Sequence, residues 1–274
     1  MILLVSSNKD IAGVNIANQI LQQYPFKKTN LNFQENPVFY AQINSKQVTY
    51  ITLRDEAINA QNLPEQFPNM DLIVFISRHS SQSGKPTLSV HTPGNFSSAE
   101  LGGLPKTLSV SPANAMGTAL KALNRLKSKM DLNYEVSYEC THHGPSLNVP
   151  TMFVELGSSL KQWNDITAAG AVAQAAMEAI ANFGNSKQPT VLGIGGTHYN
   201  QKFTKIALEN ETVFGHMIPK YALGQVDAEI LSQCVKKTFE EVEYAVLDWK
   251  GIKSEDKPKL LKTLQEINLP IKKV

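Results

Sequence analysis

The sequence predicts a three-layer α/β/α fold with a largely parallel or mixed sheet, and three observations carry that prediction. Short β-patterned runs alternate with longer helix-patterned ones along the whole chain. One run, "DLIVFIS" at 71–77, is almost continuously apolar, as a central strand covered on both faces must be. The length, 274 residues, suffices to bury a sizeable core. A single domain over 1–274 is expected. A smaller lobe, if there is one, belongs near 80–150, where strand-like runs cluster.

The elements follow in order. "MILLVSS" reads as a short buried strand. An amphipathic helix near Asp10 to Tyr24 follows, with Ile11, Val14, Ile16, Ala17, Ile20 and Leu21 as its apolar residues. "QVTYITL" (47–53) and "DLIVFIS" are strands, and "TLSVHT" (87–92) and "TLSVS" (107–111) are further ones. Ser111 and Pro112 then open a helix, since a proline in the first turn gives up an N–H that has no partner anyway. Met116, Leu120, Leu123 and Leu126 recur along its buried side. "YEVSYE" and "TMFVEL" are the next strands, and an Ala-rich helix runs to Gly184, a left-handed stop. "TVLGIGG" (190–196), a helix near 202–210, "TVFGHMI" (212–218), a helix over 226–239, "YAVLDW" (244–249) and a helix from about 255 complete the chain.

Composition narrows the function classes. Hydrophobic residues at 42% and charged ones at 18% are ordinary for a soluble globular protein. The start lacks the basic leader and apolar stretch of a signal peptide. The most apolar helix, 166–184, carries Gln174 and Glu178 and is shorter than a bilayer span, so it reads as a core helix. Two cysteines, Cys140 and Cys234, make neither a disulfide scaffold nor a Cys-rich zinc module. The cytoplasm is the expected compartment, with no membrane partner. Net charge is +2, but residues 250–274 hold seven lysines against Glu255, Asp256 and Glu266. That end is either a footprint for RNA or a solvated helix face with a frayed tail.

The histidines are the most informative feature. His79, His91, His142, His143, His198 and His216 mostly follow or end strand-like runs. Ligands of open α/β sheets bind beyond the carboxyl ends of strands, so these side chains can converge from afar. Adjacent residues of a regular strand face opposite ways, so His142 and His143 share a site only if the chain turns at "ECTHHGP". Glu139 precedes the doublet and fits a wet strand face. Glu155 lies inside the apolar run "TMFVEL", where an unpaired carboxylate is costly, so a cation or a hydrogen-bond network should meet it. A His/Glu site with an open position suits Zn²⁺, although no HExxH or similar spacing specifies it. "GIGGTHYN" (193–200) sits between strand and helix, where backbone amides can hold an anion, or where the chain simply turns tightly. "SRHSSQSGKP" gathers Arg78, Ser80 and Lys85 in a polar stretch suited to phosphate or ribose, or to water alone.

Taken together and in order, "ISRHSSQSGKPTLSVHTPGNF", "ECTHHGP", "FVELGSS", "GIGGTHY" and "GHMIPKYAL" resemble the archaeal and plant type of D-aminoacyl-tRNA deacylase, and "MILLVSSNKDIAGVNIA" extends the likeness over nearly the whole chain. The resemblance implies a cytoplasmic hydrolase that frees a D-amino acid from its tRNA ester, with zinc as cofactor. It also implies a fold similar to the phosphorylase and peptidyl-tRNA hydrolase type. His142, His143 and Glu155 are then expected to bind metal or activate water. His79, His198 and His216, with Glu139, are further ligands or proton carriers. Arg78, Ser80 and Lys85 contact substrate, and amides near Gly195 and Gly196 hold the oxyanion or a phosphate. D-aminoacyl-tRNA is the expected partner, and a monomer the expected state. Another hydrolase or phosphorylase on the same scaffold is the alternative. A non-catalytic RNA-binding module ranks below both, since no aromatic residues interleave with the terminal lysines.

Overall fold

In the computed structural model, which describes residues 1–185 and 187–274, the first strand is β1 (Ile2–Ser7), buried throughout. Helix α1 (Ile11–Gln23) follows, its first turn capped by the carboxylate of Asp10, which accepts from Gly13 N at 2.9 Å. Then come β2 (Lys27–Phe33), β3 (Asn36–Ile43) and β4 (Lys46–Leu53). The β2–β3 hairpin is absent from the sequence reading. Strand β2 is mostly polar and largely exposed, although Val38, Ala41 and Ile43 of β3 are buried, and the turn uses Gln34 and Glu35 at φ 48° and 65° where glycine or asparagine usually gives the signal.

The short α2 (Leu63–Gln66) leads to β5 (Leu72–Ser80), β6 (Thr87–His91), β7 (Gly94–Asn95) and β8 (Thr107–Leu108). Helix α3 (Ala113–Lys129) buries Met116, Leu120, Leu123 and Leu126. Its first amides are met from a distance: Ala113 N and Asn114 N donate to the carboxylate of Glu240, at 2.9 and 3.0 Å, and not to Ser111. After β9 (Glu135–Tyr138) and β10 (Thr151–Ser158) come α4 (Leu160–Trp163) and the buried α5 (Ile166–Asn182). The remainder is β11 (Thr190–Ile194), α6 (Gln201–Glu209), β12 (Val213–Ile218), α7 (Ala228–Lys236), β13 (Val242–Leu247), α8 (Lys257–Glu266) and β14 (Ile271–Lys273).

The α/β class and the mixed sheet are as expected. Eight strands pair in the order β2-β3-β4-β1-β5-β10-β6-β9. β4, β1, β5 and β10 are mutually parallel, while β3 and β6 run against their neighbours β4 and β10. Of the strands in 80–150, β6 and β9 complete this sheet, and β7 and β8 form a two-stranded ribbon of their own. A separate sheet is C-terminal, all parallel, in the order β12-β11-β13-β14. Helix α3 packs on β6 and β9 of one sheet and on β12 of the other, so a single core joins Val90, Met116, Tyr138, Val191 and Phe214. Gly117 permits that approach, since a β-carbon there would collide with Val213. Among the described residues no helix is long and apolar enough to cross a membrane.

Candidate active site

The register of the large sheet explains how its polar face arises. Phe153 of β10 lies between Phe75 and His91, Glu155 between Ser77 and Ser89, and Gly157 between His79 and Thr87. Side chains at alternate positions share a face. One face of three neighbouring strands therefore carries His79, His91 and Glu155 toward their ends. The loop after β9 brings Glu139, His142 and His143, and the turn after β11 brings His198.

The chain does turn at the doublet. His143 takes a left-handed φ of 41°, which sets both rings against His91, with ring centroids 4.3 Å (His142) and 4.8 Å (His143) away. Each Nδ1 of the doublet faces a backbone carbonyl, Cys140 O at 2.9 Å and Gly144 O at 2.6 Å. A carbonyl can only accept, so both protons sit on Nδ1 and both Nε2 lone pairs are free. Burial and the neighbouring imidazoles keep the pair neutral. His142 is held well below the usual histidine range by burial and then by His91, although 24% of its side chain is exposed, and His143 is pushed down to about 4.

Glu139 and Glu155 form the opposite pole. Glu155 accepts from Ser77 Oγ at 2.8 Å and has His79 and His91 nitrogens each at 3.7 Å. Glu139 lies 3.1 Å from His79 Nδ1, close but out of line for a hydrogen bond, and 3.0 Å from His198 Nε2. Burial works against charge on both acids, but the histidines outweigh it. Glu155 falls to about 2, and Glu139 is held well below the carboxylate range. The same contacts overcome burial at His79, pushing it up to about 11, and raise His91. The result is a buried set of fixed anions, a fixed cation at His79 and a neutral His142–His143 pair.

A cleft of about 530 Å³ opens over this set, lined also by Asp10, Glu56, Arg78, Ser80 and Tyr199. A second, of about 440 Å³, lies beyond it, floored by Asn95, Phe96, Tyr221 and Gln225. His142, His143 and His198 line both, as a wall between them. Three groups have donor atoms within 4.8 Å of one another: His91 with His142 and His143; Glu139 with His142 and His198; and His79 with Glu139 and Glu155. The first group suits zinc best by chemistry, offering three imidazole nitrogens, with free Nε2 lone pairs at the two residues of the doublet. His91, moreover, has both ring nitrogens buried without a hydrogen bond.

The expected site residues divide clearly. His79, His142, His143, His198, Glu139 and Glu155 converge. His216 does not, and its place among the metal ligands is corrected: Nδ1 meets Thr141 Oγ1 at 3.1 Å, and Nε2 reaches Ser109 O and Lys237 O at 3.2 and 3.1 Å, leaving no lone pair for a ligand. Arg78 and Ser80 line the cleft, but the guanidinium is held in two contacts by Glu56 at 2.9 and 3.0 Å. Lys85 lies outside it, exposed and 3.6 Å from Glu135. Gly195 and Gly196 turn with φ of 102° and 78° but line neither cleft, and Gly195 N already donates to Ile218 O at 2.8 Å. That removes Gly195 as an oxyanion donor and leaves the pair a tight turn. His91, one of the histidines the sequence marks as able to converge, carries no expected role there, and the structure makes it a participant. Its signal was the alternation Leu88, Ser89, Val90, His91, which sets it on the polar face.

An α/β scaffold with buried acids and histidines at its strand ends defines an enzyme working by acid–base or metal-assisted chemistry. The D-aminoacyl-tRNA deacylase family model matches residues 66–272. D-aminoacyl-tRNA deacylases of Thermococcus onnurineus and Pyrococcus abyssi are 36% and 35% identical, with 98% of each chain covered. That of Methanosarcina barkeri is 35% identical, over 99% of this chain and 89% of the relative. The crystal structure of a conserved protein of unknown function superimposes at a TM-score of 0.88 with 30% identity, covering 100% of this chain and 95% of the other. The chain belongs to the D-aminoacyl-tRNA deacylase family.

Proposed function

We propose that this chain hydrolyses the ester joining a D-amino acid to tRNA, with the ester carbonyl at the wall of histidines between the two clefts. The supporting observation is the placing of a neutral His142–His143 pair beside a cationic His79. Hydrolysis needs a positioned water, a donor for the oxyanion and a proton for the departing ribose oxygen.

His79 suits the oxyanion. Glu139 and Glu155 keep it charged, and its buried Nε2 has no hydrogen-bond partner among the described residues while its ring lines the cleft. A donor fixed before reaction costs no reorganisation as charge develops. His198 suits the proton transfer, because it faces both clefts and is held between Glu139 and the Tyr221 hydroxyl, 3.2 Å from its Nδ1. The α-ammonium of the amino acid finds carboxylates in the first cleft, among them Asp10, whose burial lifts it to about 6, and Glu56.

His91, His142 and His143 would hold zinc, which supplies a polarised carbonyl and a bound water with a pKa near 7. The test is release of amino acid from matched D- and L-tyrosyl-tRNA, with and without chelator. D-selective release lost to chelator and restored by zinc supports both halves of the reading. D-selective release indifferent to chelator removes the metal, and release from neither substrate removes the function.

A further inference from the structure

The four parallel strands of the C-terminal sheet end on one edge, and that edge begins in the active site. His198 follows β11, Lys220 and Tyr221 follow β12, Trp249 follows β13 and Lys273 ends β14. Backbone bonds lock these ends together: Lys220 N donates to Gly196 O at 2.9 Å, Asp248 N to Ile194 O at 2.9 Å and Trp249 N to Val274 O at 3.2 Å. With neighbouring strands about 4.8 Å apart, β14 stands only about 10 Å from β11.

The edge is positively charged. Residues 250–274 hold seven lysines and three acids, while the rest of the chain has two more acids than bases. Lys253 and Lys262 face Glu255 and Glu266, and Lys202 pairs with Asp248. Among the described residues, Lys220, Lys250, Lys257 and Lys273 have no carboxylate within ion-pair distance. The ammonium groups of Lys257 and Lys273 lie 4.5 and 3.9 Å from the centroid of the Trp249 ring, which positions them without neutralising them. The fold thus places an aromatic ring among lysines that look unaccompanied in sequence.

The first cleft is the poorer entry for a polyanion, because Asp10, Glu56, Glu139 and Glu155 outnumber Arg78 and His79 along it. A nucleic acid must arrive over Tyr221, which is 64% exposed, and the second cleft. Resting on the deacylase reading, we infer that the carboxyl edge of β12-β11-β13-β14, with Lys220, Lys250, Lys257, Lys273 and Trp249, is the track for the phosphate backbone of the tRNA acceptor end. The aminoacyl group passes from it across the wall of His142, His143 and His198 into the acidic cleft.

The experiment uses the full chain carrying Lys250→Ala, Lys257→Ala and Lys273→Ala together, with the three Lys→Arg changes as the conservative control. Binding of uncharged tRNA is measured against salt, and hydrolysis is measured on D-tyrosyl-tRNA and on 3′-O-D-tyrosyl-adenosine, which has no phosphate. The triple alanine variant should lower kcat/KM on the tRNA by about tenfold or more and flatten the log–log salt slope of binding by about 2 to 3. Hydrolysis of the adenosine ester should stay within about twofold, and the arginine variant, which keeps the three charges, should keep the wild-type salt slope. Equal losses on both esters, or an unchanged salt slope, would overturn the track. If the wild type hydrolyses neither ester, the deacylase reading fails by itself, and the salt slope with uncharged tRNA still decides the surface.

Discussion

The imidazole of His79 lies across Gly157, its partner on the neighbouring strand, so closely that a β-carbon at 157 would stand 2.6 Å from both its Cβ and its Cδ2. The absent side chain is what lets the ring lie over β10 toward Glu155 and Glu139. Gly157 is thereby a positioning residue for the cation proposed to receive the oxyanion.

Gly157→Ala tests this. Crowding a packed sheet by one methyl group costs about 1–3 kcal/mol, and because the new carbon would also stand 2.5 Å from the His79 carbonyl oxygen, the end of β5 must shift and carry the His79 ring away from its two carboxylates. The expected result is a folded protein whose kcat on D-tyrosyl-tRNA falls by about tenfold or more, with KM changed little. Wild-type kcat in a folded variant would show that the placement of His79 is irrelevant to the rate.

The pairing of His79 with Glu155 sets a pH window. A histidine raised from 6.5 to about 11 stabilises the fold fully below pH 6.5 and loses that contribution as pH rises toward 11. A glutamate lowered from 4.5 to about 2 contributes fully above pH 4.5 and loses it as pH falls toward 2. The interaction is therefore complete between pH 4.5 and 6.5. Glu155→Gln removes one of the two anions, so His79, followed by NMR of its ring protons, should titrate at least about one unit lower. An unmoved titration would mean that Glu139 alone holds the proton.

Metal analysis separates the histidines. His91→Ala, His142→Ala and His143→Ala should each bring zinc from about one per chain to near zero, because a three-ligand site rarely survives the loss of one. Full zinc in His91→Ala alongside loss in His142→Ala would move the ion to Glu139, His142 and His198, the neighbouring donor set. No zinc in the wild type, after purification without chelator and with zinc supplied, would end the cofactor proposal.

Much of this site is legible in the string of residues, for reasons that can be named. Strand ends are where an α/β sheet exposes side chains to a common space, so histidines after "VFIS", "LSV" and "GIGG" announce convergence. Glu155 announces itself by standing in an apolar run, and the structure surrounds it with Ser77, His79 and His91. Other parts depend on partners distant in sequence. The exposed strand β2 has no apolar period to betray it. The separate C-terminal sheet follows from pairings between strands, as does the meeting of Trp249 with Lys273. His91 and His216 look alike in sequence, each within a β-patterned run. Only the register shows one beside Glu155 and the other among carbonyls.

His216 gives the sharpest contrast with the other histidines, because every atom it could use for chemistry is already engaged. Burial, only partly offset by the carbonyls of Lys237 and Ser109, lowers it from 6.5 to about 4. A depressed histidine is neutral in the folded state and takes up a proton on unfolding, so stability is lost as pH falls from 6.5 toward 4. That loss amounts to about 3 kcal/mol across the window. Denaturant midpoints of the wild type and His216→Gln at pH 7 and pH 4.5 check it. The variant should be less stable at pH 7 by about 1–3 kcal/mol, for the hydrogen bonds it reshapes, and should lose less than the wild type on acidification. Its zinc content should match that of the wild type. Zinc lost from His216→Gln while the fold and the His142 contacts persist would return His216 to the metal site.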